Sequence, residues 1–500
     1  MKTLKINSTN GKLNLADLPH NCIFNKKITG CGGTTIALFN DENYVIAVPT
    51  TELVINKTGN SEAGTATITN YDGKKQTILG LFGNFSYYLK KQVKEYLETE
   101  GTKKIICTYD KINALTKLLN PSDYRILVDE YQILLKAYSY RQKAINGVLD
   151  NFRNYKSFCF MSATPINSDF KPSALNDIEE LEAVWNETDT LNVVLDYTNH
   201  PYQKVANIIT EFKHNNYQMA VDGGNVANEL FFFLNSVTEI ASILEYCELK
   251  NEEVKIVCAD TEENSKKLAG YIISNSRSEN RPITFITSKS FEGADYFSET
   301  GVSFVVSNSR KQQTLLDIST DIYQIAGRIR NEDNPNRNLL IHIFNTAGRN
   351  ELHLDITYEQ MVELVSKNIK GANEIIELVN NSSESAKSMA SKLLNCQYVS
   401  KDSTGRYYLN DTLIKLELFN YNINQQIYKN GISITKAYEK TGAIIFETES
   451  KKIDNQISYS GKKLTFKEAF LKYSEIKNNP YDMTDTSYLV KVQPLIVPAY

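Results

Sequence analysis

Five hundred residues exceed what one hydrophobic core usually serves, so two or three domains are expected. Apolar residues make up 41% and charged residues 23% of the chain, the balance of a globular protein rather than a disordered one. A net charge of -4 excludes binding to nucleic acid through bulk charge and leaves only a local basic groove for it.

The first ten residues contain no apolar signal core, and no apolar run is long enough to span a bilayer. The seven cysteines are scattered, odd in number and form no C-x-x-C. They read as buried thiols in a reduced compartment, with no zinc site and no membrane partner. The expected location is cytoplasmic.

Early in the chain, "KKITGCGGTTIAL" (Lys26 to Leu38) reads as a glycine-rich loop that opens a helix. Gly30, Gly32 and Gly33 can form a backbone nest that points N–H groups at phosphate oxygens. Thr34 is placed to hold magnesium. Loops of this kind carry lysine where Gly33 stands, and that lysine would contact the transferred phosphates. Lys26 and Lys27 lie just upstream and could reach in to replace it, but adjacent lysines are more often a solvated face. From these residues alone a plain glycine turn reads equally well.

Four apolar runs follow as buried strands: "NYVIAVPT" (43–50), "KKIICTYD" (103–110), "YRILVDE" (124–130) and "SFCFMSAT" (157–164). "SYYLKKQVKEYLETEG" and "LLKAYSYRQKAINGVLDNF" between them read as helices. Alternation of this kind implies a parallel sheet covered on both faces, with ligands at the carboxyl ends of its strands. "ILVDEYQ" ends a strand in two acids: Asp129 would hold magnesium, Glu130 would deprotonate or orient a water, and Gln132 would sense the bound nucleotide. Such a pair is by itself ordinary surface acid. After a phosphate loop in the same unit it reads as catalytic. Ser162, Ala163 and Thr164 can couple these acids to a second domain.

From about Pro172 to Asn225 the pattern weakens, as in an inter-domain passage. It resumes with "ELFFFLNS", "VKIVCAD", "ITFITS", "VSFVVSNS" and "NLLIHIFNT", a second α/β unit. There "ITSKSFEGADYF" supplies Thr287, Gly293 and Asp295, and "DIYQIAGRIRN" supplies Gln324, Arg328 and Arg330, the arginines on a helix. A planar guanidinium offered across a cleft suits developing phosphoryl charge. Beyond Ala347 "YEQMVELVSKNIKGANEIIELV" is an amphipathic helix, and the last segment carries no motif.

Taken in order, these elements resemble a superfamily 2 helicase. "ITGCGGTT" is similar to motif I, "VPTTELVINK" to motif Ia, "TYDKINAL" to the element before motif II, "VDEYQ" to motif II and "SATP" to motif III. "FFFLNS" is similar to motif IV, "TSKSFEGAD" to motif V and "QIAGRIR" to motif VI. The T-S opening of motif V and the compact G-R-I-R resemble the herpesvirus-type origin-binding helicases and their phage relatives. The resemblance implies an α/β chain of two tandem RecA-like domains with parallel sheets, plus a largely helical C-terminal accessory region. The corresponding division is 1–175, an inter-domain passage 176–225, 226–347, and an accessory domain 348–500.

It further implies ATP and Mg2+ between the domains. Thr29, Gly30, Cys31, Gly32, Gly33, Thr34, Thr35, Gly293, Asp295 and Gln324 would bind nucleotide, with Thr34 and Asp129 on the metal. Glu130, Gln132, Arg328 and Arg330 would be catalytic. Pro49, Thr50, Thr108, Ser236 and Thr287 would touch the backbone of single- or double-stranded DNA, with RNA the alternative. The C-terminal region would guide DNA or bind a replication protein. Two features depart from the family. Gly33 replaces the motif I lysine, and Arg330 falls one residue earlier than in DEAD-box proteins, where Asn331 would stand. The expected function is an ATP-dependent helicase or translocase in replication or recombination. A non-hydrolysing helicase-fold scaffold and an unrelated α/β enzyme are the competing readings.

Overall fold

The computed structural model describes residues 2–6, 11–186, 190–221, 224–291, 293–346, 356–383, 398–402 and 404–448. Cys396 and the final segment from 449 lie outside the described residues.

The apolar runs form two large sheets. The first has nine strands in the spatial order Lys2–Ile6, Glu179–Trp185, Cys22–Asn25, Ser157–Ser162, Arg125–Asp129, Tyr44–Val48, Lys104–Thr108, Lys75–Leu81, Gly64–Thr69. All neighbours are parallel except the final pair, an antiparallel hairpin. The second has seven parallel strands in the order Val254–Val257, Ile283–Ile286, Leu230–Phe233, Val302–Ser307, Leu339–Phe344, Asn192–Tyr197, Ile444–Glu447. Central strands such as Tyr44–Val48 and Leu230–Phe233 are buried at every position. Each Ile, Val or Leu so enclosed contributes roughly 1.5–3 kcal/mol. Continuous apolar runs are what a strand covered on both faces requires.

The stretch read as an inter-domain passage carries more structure than its pattern suggests. Glu179–Trp185 joins the first sheet, Asn192–Tyr197 joins the second, and Pro201–His214 is a helix. Glu179–Trp185 is only half-covered, which is why its sequence lacks an apolar run.

The described part of the C-terminal region is largely helical, with helices Tyr358–Asn380, Asp411–Tyr421 and Gly431–Glu439, and it also lends the second sheet its strand Ile444–Glu447. It touches both units. Phe170 meets the Tyr358 and Phe419 rings at 6.3 and 5.5 Å, and Asn410 Nδ2 donates to the Tyr138 hydroxyl at 2.9 Å. On the other side, the Tyr438 hydroxyl lies 2.8 Å from Nδ1 of the buried His342, whose Nε2 lies 3.0 Å from Ser307 Oγ.

Burial holds the His342 imidazole down at about 3. The unfolded ring gains its proton below about pH 6.5 and the folded one does not, so stability is present above that value and lost as pH falls toward 3. Unfolding free energy is expected to drop by about 2 kcal/mol from pH 7 to pH 5 on this account. Urea titrations of wild type and His342→Gln at both pH values check it. An equal pH dependence in the two proteins would refute the assignment.

Candidate active site

The carboxyl ends of neighbouring strands line up at one edge of the first sheet. Asn25 stands level with Ser162, and Asp129 level with Met161. The ladder continues one residue past Asn25: Lys26 N–H donates to Ser162 O at 2.9 Å, and Lys26 O accepts from the Trp185 indole at 2.9 Å. The chain then turns through Gly30 (φ 69°) and Gly32 (φ 87°), where left-handed backbone suits glycine, into the helix Gly33–Phe39. Lys104, buried in the strand Lys104–Thr108, holds the far end of that helix, its Nζ donating to Ala37 O at 2.7 Å and Asn40 Oδ1 at 2.6 Å.

On a straight strand Asp129 and Glu130 would point to opposite faces. Glu130 instead adopts φ 51°, uncommon outside glycine. The Tyr109 hydroxyl fixes this turn, 2.6 Å from Asp129 O and 3.1 Å from Glu130 O. Both carboxylates consequently reach one amine: Lys26 Nζ lies 3.6 Å from Asp129 Oδ1 and 3.5 Å from Glu130 Oε1. Thr34 Oγ1 donates to Asp129 Oδ2 at 2.8 Å, and Gln132 Nε2 donates to Glu130 Oε2 at 2.8 Å.

The second unit closes the cluster. Gln324 Nε2 donates to Glu130 Oε2 at 2.8 Å and to Thr164 Oγ1 at 3.2 Å, while Gln324 Oε1 accepts from Arg328 Nη2 at 2.8 Å. The sequence reading puts both arginines on a helix. That helix, Tyr323–Ala326, ends before them. Arg328 and Arg330 flank Ile329, which pairs as an isolated bridge with Tyr296, so two residues apart on extended chain they face the same way. Arg330 Nε donates to Asp295 Oδ1 at 2.7 Å, and its Nη1 lies 3.4 Å from Thr29 Oγ1, over the glycine loop.

The electrostatics follow from this packing. Burial pushes the Glu130 carboxyl up, but the Lys26 ammonium, the Gln132 amide and the Arg328 guanidinium outweigh it and hold it below its ordinary value. Burial pulls the Lys26 ammonium down, and Glu130 and Asp129 together raise it above the usual lysine range. Burial likewise raises Asp295, and Arg330 and Arg328 bring it below its usual value. Lys57 adds a further cation within electrostatic reach of Asp129 and Asp295, and its enclosure lowers its pKa.

Sequence reasoning treats Lys26 and Lys27 alike, as a solvated pair, and the structure separates them. Lys27 is on the surface, its Nζ 2.6 Å from Glu182 Oε1. Lys26 is 5% exposed. Tyr109, Met161 and Lys57 also escaped notice as parts of the site. All three lie in quoted stretches, "TYDKINAL", "SFCFMSAT" and "VPTTELVINK", but nothing in the sequence singles them out there.

The two units dock through the helix Thr51–Thr58. Glu52 accepts from the hydroxyls of Ser276 and Ser290, Asn56 Nδ2 donates to Gly293 O at 2.6 Å, and Arg277 Nε donates to Asn56 Oδ1 at 2.8 Å. Lys136 Nζ donates to Thr320 Oγ1 at 2.6 Å nearby.

The five residues expected at nucleic acid lie at or just past strand ends, yet their polar atoms have local uses. Thr50 and Ser236 cap helices, accepting from Leu53 N at 3.3 Å and Glu239 N at 3.5 Å. Thr287 Oγ1 donates to Val257 O at 3.3 Å, Thr108 is buried, and Pro49 O accepts from Arg141 Nη1 at 2.6 Å. Of the remaining expected residues, Cys31 is buried, and Thr29, Thr35 and Gly32 are half-exposed.

No group of three or more His, Cys, Asp or Glu that could hold a metal exists among the described residues, and none of their helices is long and apolar enough to cross a membrane.

No protein-family model and no curated protein matches the sequence. Among solved structures the chain is similar to Mss116p bound to ssRNA and AMP-PNP, at 12% identity and a TM-score of 0.43 over 87% of this chain and 90% of that one. It is similar to the DUF1998 helicase MrfA bound to DNA, at 13% identity and a TM-score of 0.42 over 78% of this chain and 55% of that one. It is also similar to S. cerevisiae Dbp5 bound to RNA and ADP BeF3, at 13% identity and a TM-score of 0.40 over 65% of this chain and 79% of that one.

Proposed function

We propose that this chain is a superfamily 2-type ATPase that moves on nucleic acid, with ATP and Mg2+ held between its two α/β units. The observation that carries this reading is the Glu130 carboxylate, enclosed by Lys26 and Gln132 from one unit and by Gln324 and, through it, Arg328 from the other. A carboxylate gripped from both sides of a two-unit cleft links chemistry at one point to relative motion of the units.

The residues present fit the ligands. Lys26, Lys57, Arg328 and Arg330 face Asp129, Glu130 and Asp295, a cationic surplus suited to a polyphosphate. Thr34 and Asp129, already in mutual contact at 2.8 Å, would hold magnesium. Magnesium commonly takes only one or two protein ligands beside phosphate and water, so the lack of an all-protein cage is no obstacle. When bound, the metal neutralises charge on the phosphate oxygens.

The chain's own groups do the rest. Glu130, held ionised, accepts a proton from water or orients it. Gln132 and Gln324 fix which carboxylate oxygen is free. Arg330, over the glycine loop, offers its guanidinium to the phosphates, and Arg328 positions Gln324. The narrower reading is a DNA helicase of replication or recombination, phage-type in the sense of its origin-binding resemblance, with the C-terminal region as partner-binding accessory. In it Pro49, Thr50, Thr108, Ser236 and Thr287 mark the nucleic-acid track mainly through nearby backbone.

The test is ATP hydrolysis by the purified chain, alone and with single-stranded DNA or RNA. Turnover stimulated several-fold by one polymer is expected and names the substrate. Tight ATP binding with no turnover would replace this reading with the scaffold, whose motivating observation is Gly33.

A further inference from the structure

Gly33 is not an eroded position. A Cβ built there would lie 2.6 Å from Met161 Sδ and 2.7 Å from its Cε, and Met161 is fully buried. A side chain at 33 requires the flexible end of Met161 to move aside within a filled core. The place a lysine stem would need is occupied by a residue of the neighbouring strand Ser157–Ser162.

An ammonium nevertheless sits beneath the loop. Lys26 Nζ lies within 3.6 Å of Asp129 and Glu130 and within electrostatic reach of Cys31 in the loop itself. Its backbone is pinned on both sides, by Ser162 O and by the Trp185 indole. Its ion-pair distances of 3.5 and 3.6 Å exceed those of a tight charge-assisted bond, so the amine is shared between acids rather than committed to one. Lys27 cannot substitute, being engaged at the surface by Glu182.

We propose that Lys26 is the phosphate-contacting cation of this site, delivered from the end of the strand Cys22–Asn25 because Met161 closes the usual position at Gly33. The assignment rests on the nucleotide reading above. In the free protein Lys26 neutralises the two acids. With magnesium on Asp129 and Thr34, the amine turns to the phosphates.

Equilibrium binding separates the two ideas without using activity. ATPγS and ADP are titrated with magnesium into the full chain and its variants by calorimetry. Lys26→Met is expected to weaken ATPγS about 10- to 100-fold, the scale of one lost charged contact, and ADP less. Lys27→Met is expected to leave both unchanged. Lys26→Met alone strips the cation from two buried acids, so the Lys26→Met/Glu130→Gln pair is measured against Glu130→Gln alone, where fewer charges stay unpaired.

A ten-fold or greater loss on adding Lys26→Met to Glu130→Gln supports the assignment. Equal affinity in those two proteins, or the loss appearing in Lys57→Met instead, overturns it. Failure of the wild-type chain to bind either nucleotide sinks the nucleotide reading itself, a result distinct from a wild-type protein that binds well and ignores Lys26.

Discussion

Glu130→Gln is expected to lower nucleic-acid-stimulated ATP turnover by at least about 100-fold, the usual contribution of a positioned proton acceptor. The substitution is nearly isosteric and keeps an oxygen for the amides of Gln132 and Gln324, each 2.8 Å from Oε2. It removes only the charge and the capacity to take a proton. Lys26 retains Asp129 as partner, so the fold should lose no more than about 1 kcal/mol. Steady-state phosphate release beside a thermal melt reads both quantities. Unchanged turnover in a folded variant would put the chemistry elsewhere in the molecule.

The second large effect is expected at Gly293. This residue has φ 80°, and a Cβ there would stand 2.3 Å from Leu53 Cγ and 2.5 Å from its Cδ2, across the contact between the units. Gly293→Ala combines left-handed strain of roughly 1–2 kcal/mol with a collision against a branch point that cannot swing away. The helix Thr51–Thr58 must then back off, loosening Asn56 from Gly293 O and separating Gln324 and Arg328 from Glu130. Turnover is expected to fall by about 10- to 100-fold, because small misplacement of reacting groups is costly. Leu53→Ala in the same chain makes room, so the pair should recover part of the loss. The double-mutant cycle measures that coupling. Strict additivity of the two losses would show that position 293 acts by backbone strain alone.

The sequence announced the central strands because both faces of each are covered: "YVIAV" and "LFFF" have no polar member to blur the pattern. The edges were silent for the opposite reason. Lys2–Ile6, Glu179–Trp185 and the Gly64–Thr69/Lys75–Leu81 hairpin mix covered and open positions, and Ile444–Glu447 is mostly open. Such strands are specified by the neighbour they pair with, more than 170 residues distant for Lys2 and Leu181.

The site divides in the same way. Asp129, Glu130, Gln324 and Arg328 could be read because strand ends and short motifs place them. Lys26 could be named as a candidate but not told from Lys27, because a lysine's neighbours are decided by tertiary packing, and two adjacent lysines take opposite fates here. Glu52, Asn56 and Arg277 were equally hidden, their partners lying in the other unit.

The docking of the two units has a kinetic consequence. The contacts of Glu52, Asn56, Lys136 and Arg330 close the cleft, and Lys26, Asp129 and Glu130 are each no more than 7% exposed behind them. If Lys26 is the phosphate contact proposed above, a nucleotide reaches it from this closed arrangement only when the units part, and its capture is gated by that opening. At high ligand concentration the observed binding rate then levels off at the opening rate instead of rising with concentration. Apparent affinity is scaled down by the small fraction of open molecules. Substitutions that loosen the latch would therefore let ligand in sooner and hold it less well, setting speed of entry against strength of grip.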